Sequence, residues 1–287
     1  QIQTNGGTTD PLSQQAAAIE LVDAISGKPG RFATTVRVGW SEECLYAAFA
    51  CQDDYVWGDV MQHDGPIYDQ ECVEIFLNPA GSPFTYFEIN VSPRNIVFDA
   101  CILNQRTIAE PEAPFIGLRD WEADGLRTKV AVQGALDRPG AATGWSAEYA
   151  IPFSALYGAP HQPPRPGDIW RINFYRIDSP RPGHQELYAW SPVMRDSFHL
   201  PWHFGYLGFA NERSVPIPIA GVPMNPSDTS GLILSTCTAI LVQGRHADTA
   251  LQSSFREHPD LPPAEKSYVA TTVYDIVRYA RWLAALI

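Results

Sequence analysis

CVEIFL at residues 72–77 and YFEINV at residues 86–91 decide how this chain is read. Successive side chains of a strand point to opposite faces. Val73, Ile75, Leu77, Phe87, Ile89 and Val91 therefore share one face of a two-stranded ribbon, and Cys72, Glu74, Phe76, Tyr86, Glu88 and Asn90 share the other. The first face belongs to a core. The second carries two carboxylates, an amide and aromatic rings. Such a mixture can grip hydroxyl groups while ring faces cover apolar C–H patches, or it can be a half-solvated sheet face with a cross-strand polar network.

Strand signals extend outward from this ribbon. Residues 34–40 (TTVRVGW) and 45–51 (LYAAFAC) are joined by the polar turn SEEC, the pattern of an antiparallel hairpin. Further β-type runs occupy residues 96–103, 126–132, 145–151, 170–177, 187–190 and 206–209, with Gly, Pro and Asp in the gaps. The pattern predicts a mainly β fold, an antiparallel β-sandwich of jelly-roll type over residues 19–210. Residues 1–18 read as a loosely held arm and the Pro-rich residues 211–231 as a linker or strap. Residues 232–287 read as a small α-helical region, with helices near 232–242, 247–257 and 267–287. The last carries Val269, Val273, Ile276, Val277, Ala280, Leu283 and Ile287 at three-and-four spacing behind Pro262 and Pro263.

A net charge of -12 and a pI near 4.9 supply no basic stripe, which argues against nucleic acid and against an anionic membrane surface. No apolar run is long enough for a transmembrane helix, and no basic segment leads into an apolar one, so any secretion signal has been removed or never existed. The compartment stays open, with a lean towards a secreted or periplasmic setting. The cysteines at 44, 51, 72, 101 and 237 lack metal-type spacing and read as small buried apolar residues.

Nucleophile elbows, P-loops and dinucleotide fingerprints are absent from the sequence, and no catalytic residue is assigned. Glu74 and Glu88 could form a hydrolytic pair across adjacent strands, but paired carboxylates on a sheet are more often held by arginine or calcium. The run WRINFYRI at 170–177 puts Trp170, Ile172 and Phe174 towards the core and Arg171, Asn173 and Tyr175 on the other face, with Arg176 following. An arginine on this strand either neutralises Glu74 or Glu88 or shares its donors with a ligand. Trp190 and Trp202 are rim aromatics or core. No cofactor is expected. Asp53, Asp54, Asp64 and Asp69 offer oxygens that a structural calcium ion could take, although their spacing matches no EF-hand loop and a solvated acidic loop is the alternative.

In order, VRVGWSEECLYAAFACQD, DQECVEIFLNP, YFEINVSP, GWSAEYAIPFSAL, PGDIWRINFYRID and AWSP followed by FHLPWHFGYLGF resemble carbohydrate-binding module family 9 across residues 19–210. The resemblance implies a DOMON-like sandwich that binds the end of a mono- or oligosaccharide between two aromatic rings without breaking a bond. Tyr68 and Phe198 stand where the family carries those rings, each smaller than the tryptophan of the sugar-binding module. Glu74 matches the family's strand carboxylate and Asn173 its later asparagine, while Glu88 replaces a ligand-binding arginine. The ligand-binding set is thus Tyr68, Glu74, Glu88, Asn90, Asn173, Arg176, Trp190, Phe198 and His199. Two alternatives follow: a structural or protein-interaction module that has lost sugar binding, and a haem-binding DOMON-type domain using Met61 and His199. Residues 232–287 resemble the helical N-terminal domain of Sun-type RNA cytosine methyltransferases without their catalytic domain, which implies a protein partner or self-association through this region.

Overall fold

The computed structural model describes residues 18–108, 110–209, 218–219 and 246–261, together with positions 232, 236, 240, 266, 269, 270 and 273. Its strands are, in chain order, β1 (Ile19–Asp23), β2 (Thr34–Trp40), β3 (Cys44–Gln52), β4 (Cys72–Asn78), β5 (Thr85–Val91), β6 (Val97–Asn104), β7 (Phe115–Leu118), β8 (Arg127–Gly134), β9 (Ala142–Pro152), β10 (Ile169–Arg181), β11 (His184–Ala189), β12 (Gly205–Gly208) and β13 (Pro218–Ile219). All their pairings are antiparallel. One sheet runs β1-β2-β3-β9-β8 and the other β7-β6-β5-β4-β10-β11-β1. β1 joins the two, pairing with β2 through Ile19–Leu21 and with β11 through Val22 and Asp23.

The hairpin of β2 and β3 turns on Ser41, whose N–H donates to the Cys44 carbonyl (2.9 Å) and whose hydroxyl accepts from the N–H groups of Glu43 and Cys44. A short hydroxyl side chain bonding its own turn is what permits so tight a reversal. β5 and β6 reverse through Ser92–Ile96, where Asn95 takes a left-handed φ of 59°, a conformation asparagine tolerates better than most residues. Gly144 is needed where β9 runs against β3, since a Cβ there would lie 2.2 Å from the Cys51 carbonyl oxygen.

The expected alternation holds. Val73, Ile75, Leu77, Phe87, Ile89 and Val91 face Val36, Phe49, Trp145 and Tyr149 of the other sheet in one cluster. Phe49 meets Phe174 across the layer at 6.0 Å, and Tyr149 Oη donates to the Val73 carbonyl at 2.8 Å. Each large side chain buried in this way contributes about 1.5–3 kcal/mol. Cys44, Cys51, Cys72 and Cys101 are buried free thiols, while Cys237 lies outside the described residues.

The opposite face of β4, β5 and β10 departs from the half-solvated alternative. Every residue of β4 is buried, because a second apolar layer, including Val193, Phe198, Leu200 and Phe204, covers Phe76, Tyr86 and Tyr175. Arg106 ties this cover down: its Nη1 donates to Ser197 Oγ at 2.6 Å and its Nε to the Ala113 carbonyl at 2.9 Å.

Towards the C-terminus, Pro218 and Ile219, within the expected strap, pair with Leu207 and Tyr206. Helix α1 (Ala247–Glu257) coincides with the predicted 247–257 segment. Leu232, Ile240, Ala250, Leu251, Val269 and Val273 form a separate small cluster. Most of the predicted helix at 267–287, and residues 1–17 of the expected arm at 1–18, lie outside the described residues. Among the described residues no helix is long and apolar enough to cross a membrane.

Candidate functional site

Glu74 on β4 and Glu88 and Asn90 on β5 project from the outer face of the second sheet. Register sets Glu74 opposite Asn90 and Phe76 opposite Glu88. All are nearly sealed, at 1 % (Glu74), 5 % (Glu88) and 0 % (Asn90) exposure. Asn90 Nδ2 donates to Glu88 Oε1 at 2.8 Å, while Asn90 Oδ1 has no hydrogen-bond partner. Burial pushes the Glu88 carboxyl up to about 7 against the pull of Asn90 and Arg119. Burial, with the charge of Glu88 added, lifts Glu74 well above the usual carboxylate range.

His199 packs beside this polar set. Its Nδ1 is 2.8 Å from Tyr86 Oη and its Nε2 3.8 Å from Glu88 Oε2, and its ring stacks on Phe115 at 3.7 Å. Burial, with Arg106 nearby, lowers its pKa to about 3, so the ring is neutral. Met61, nominated with it for haem, is exposed on the segment before β4, whereas His199 is held inside this layer.

The two expected clamp rings belong to the same outer cluster but differ in access. Tyr68 is partly exposed, packs edge-on against Phe98 at 5.1 Å, and accepts a hydrogen bond at Oη from Arg119 Nη2 at 3.0 Å. Phe98 lies opposite Asn90 in the β5–β6 register, which places Tyr68 over the Asn90 end of the polar set. Phe198 is 7 % exposed and stacked inward on Tyr175. Arg119, Phe115 and Arg106 escaped the sequence reading. They come from the segment around β7, whose four residues carry too short an alternation to mark a strand.

Three other expected ligands do not face an open cleft. Asn173 spends its side chain on the backbone: Nδ2 donates to the Ser191 carbonyl at 2.9 Å and Oδ1 accepts from the N–H of Ser191 at 3.0 Å. Trp190 packs on Phe174 in the cluster between the sheets. Arg176, opposite Val73 in register, points between the sheets and is fully buried. Its Nη2 donates to Asp53 Oδ2 at 2.5 Å and stands 3.5 Å from Glu71 and 3.6 Å from Asp178. Burial works against its charge, yet the surrounding acids hold its pKa above the ordinary value; burial also lifts Glu71 well up and Asp178 to about 6. The Arg171 guanidinium donates to the carbonyls of Pro201, Trp202 and Phe204.

The aspartates read as one acidic loop are dispersed. Asp53 joins Arg176, Asp54 pairs with Arg31 at 3.0 Å, Asp69 is exposed beside Tyr68, and Asp64 meets Asp99. Folding separates them because they sit on different sides of the β3-to-β4 connection.

The chain is 28% identical over 183 residues to an extracellular protein of Arthroderma benhamiae, covering 61% of this chain and 78% of that one. Among solved structures, a candidate carbohydrate-binding protein of Bacteroides uniformis matches with a TM-score of 0.52 and 18% identity, over 68% of this chain and 86% of that one, a likeness of fold. A family 9 module of Caldicellulosiruptor kristjanssonii in complex with cellotriose gives 0.49 at 15% identity, over 76% of this chain and 94% of that one. With the family model for carbohydrate-binding family 9 matching residues 12–209, the chain belongs to that family.

Proposed function

We propose that this protein binds a saccharide without cleaving it, over the outer face of the second sheet. Tyr68 supplies the accessible ring, and beneath it Glu74, Glu88, Asn90 and His199 supply the polar floor. One observation carries the reading: Glu74 and Glu88 are buried on one face, yet among the described residues neither forms an ion pair with an arginine. Buried carboxyl groups are ordinarily paired or hydrogen-bonded; Glu88 Oε1 accepts only from Asn90 and Glu74 Oε1 only from the Cys72 thiol, and Asn90 Oδ1 has no partner. Sugar hydroxyls, which both donate and accept, are the complement of such a set. Arg119, bonded to Tyr68, adds a cation to the exposed rim.

A glycan array, followed by calorimetric titration with cellobiose and xylobiose, tests this. Binding that weakens about tenfold in Tyr68→Ala and in Glu88→Gln supports the site, since each contact is worth on the order of 1 kcal/mol. Binding unchanged in both variants removes the saccharide from this face. The inward stacking of Phe198 favours a second reading, an interaction module that keeps the family's shell; it gains if no glycan binds and if removing residues 214–287 changes the size-exclusion volume beyond the lost mass. Hydrolysis of aryl glycosides that disappears in Glu74→Gln would replace both.

A further inference from the structure

We infer that His63, Asp64, Asp99 and Glu122 form a binding site for one zinc-class divalent ion. Their candidate ligand atoms all lie within 4.8 Å of one another. His63 Nε2 stands 2.9 Å from Glu122 Oε2, 3.7 Å from Asp99 Oδ1 and 3.8 Å from Asp64 Oδ2. Ligands about 2.1 Å from a tetrahedral ion are about 3.4 Å apart, so the group is nearly at bonding spacing already.

Each of three ligands is oriented by backbone. Nδ1 of His63 lies 3.0 Å from the Val97 carbonyl, which fixes Nδ1–H as the donor and turns the Nε2 lone pair into the cluster. Asp64 uses Oδ1 to accept from the N–H of Asp99 at 3.2 Å, and Asp99 uses Oδ2 to accept from the N–H of Ala123 at 2.7 Å. Each aspartate is left with one oxygen facing inward. Such outer hydrogen bonds are a general feature of metal-bound imidazoles and carboxylates.

Asp99 supplies the decisive observation. Its side chain is 2% exposed and Oδ1, aimed into the cluster, has no hydrogen-bond partner. A proton on Nε2 serves Glu122 but leaves that buried oxygen without a donor; a metal ion at the centre serves all four groups. A cavity of about 360 Å³, lined by His63, Asp99 and Glu122 among others, provides entry. One imidazole among carboxylates selects zinc over calcium, which prefers oxygen ligands in greater number. Ala100 and Phe98 flank Asp99 in sequence and face the outer cluster, so Asp99 points to the other side of β6 and the site is separate from the proposed saccharide face. The ion would clamp the segments carrying His63 and Glu122 onto β6.

The test is calorimetric titration of the full, metal-stripped chain with zinc chloride and, separately, calcium chloride. One equivalent of zinc is expected, bound more tightly than calcium, together with a rise in Tm. His63→Ala and Glu122→Gln, both at half-exposed positions, should each weaken zinc by about tenfold or more and abolish the Tm rise while leaving the metal-free Tm near wild type. No saturable zinc binding overturns the inference, as does zinc affinity unchanged in both variants or calcium bound as tightly as zinc. Saccharide titration of the same variants keeps this outcome distinct from that of the sugar site.

Discussion

Phe198 lies flat on Tyr175, with ring centroids 4.0 Å apart and planes 12° apart, and Tyr175 Oη donates to the Phe198 carbonyl at 3.2 Å. A ring so placed is part of the apolar cover. Phe198→Ala should therefore lower stability by about 3–5 kcal/mol, the usual range for truncating a buried phenylalanine. Tyr68→Ala, at a partly exposed position, should cost about 1 kcal/mol or less in stability. Urea unfolding of the two variants measures the contrast, and equal losses would contradict the different placement of the rings.

Glu88 gives the protein a pH dependence of definite sign. Its carboxyl titrates at about 7 in the fold against an ordinary 4.5. The folded state therefore holds the proton more tightly, and the resulting stability is complete below pH 4.5 and lost as pH rises through 7. The amount is on the order of 3 kcal/mol. His199, lowered to about 3 by burial, acts with the opposite sign, so the informative quantity is a difference: relative to wild type, the urea midpoint of Glu88→Gln should rise as pH goes from 4.5 to 7.5. An unchanged slope would mean that Glu88 is ionised in the fold.

Arg176 is the one cation among Asp53, Glu71 and Asp178 in that buried group. Arg176→Met should destabilise by about 3–5 kcal/mol, because removing one partner leaves buried acids uncompensated. Chemical denaturation at pH 7 reads this loss, and lowering the pH should recover part of it as the acids take up protons.

Asn173 bonds both backbone groups of Ser191. Asn173→Ala orphans a buried N–H and a buried carbonyl and should cost about 2–3 kcal/mol. Saccharide affinity should stay within about twofold, which separates this backbone-bracing role from direct ligand contact. A tenfold loss of affinity at retained stability would restore Asn173 to the ligand set.

Much of the architecture was legible in one dimension. The alternation at 72–77 and 86–91 assigned every inward residue of β4 and β5 correctly, and the hairpin of β2 and β3 could be read from its polar turn. Period-2 patterning survives in sequence because one face must be dry. β1 and β7 went unseen, since four or five residues carry too little alternation to separate from a loop. The same parity argument put Glu74, Glu88 and Asn90 on one face but could not tell that this face is covered.

The sequence by itself determined which side chains share a strand face and which family the chain resembles, because both depend on local order along the chain. Tertiary structure alone decided that Phe198 turns inward, that Arg176 enters the layer between the sheets, and that His63, Asp99 and Glu122 converge. Burial and convergence depend on what distant segments lay over a strand, and spacing along the chain does not encode that.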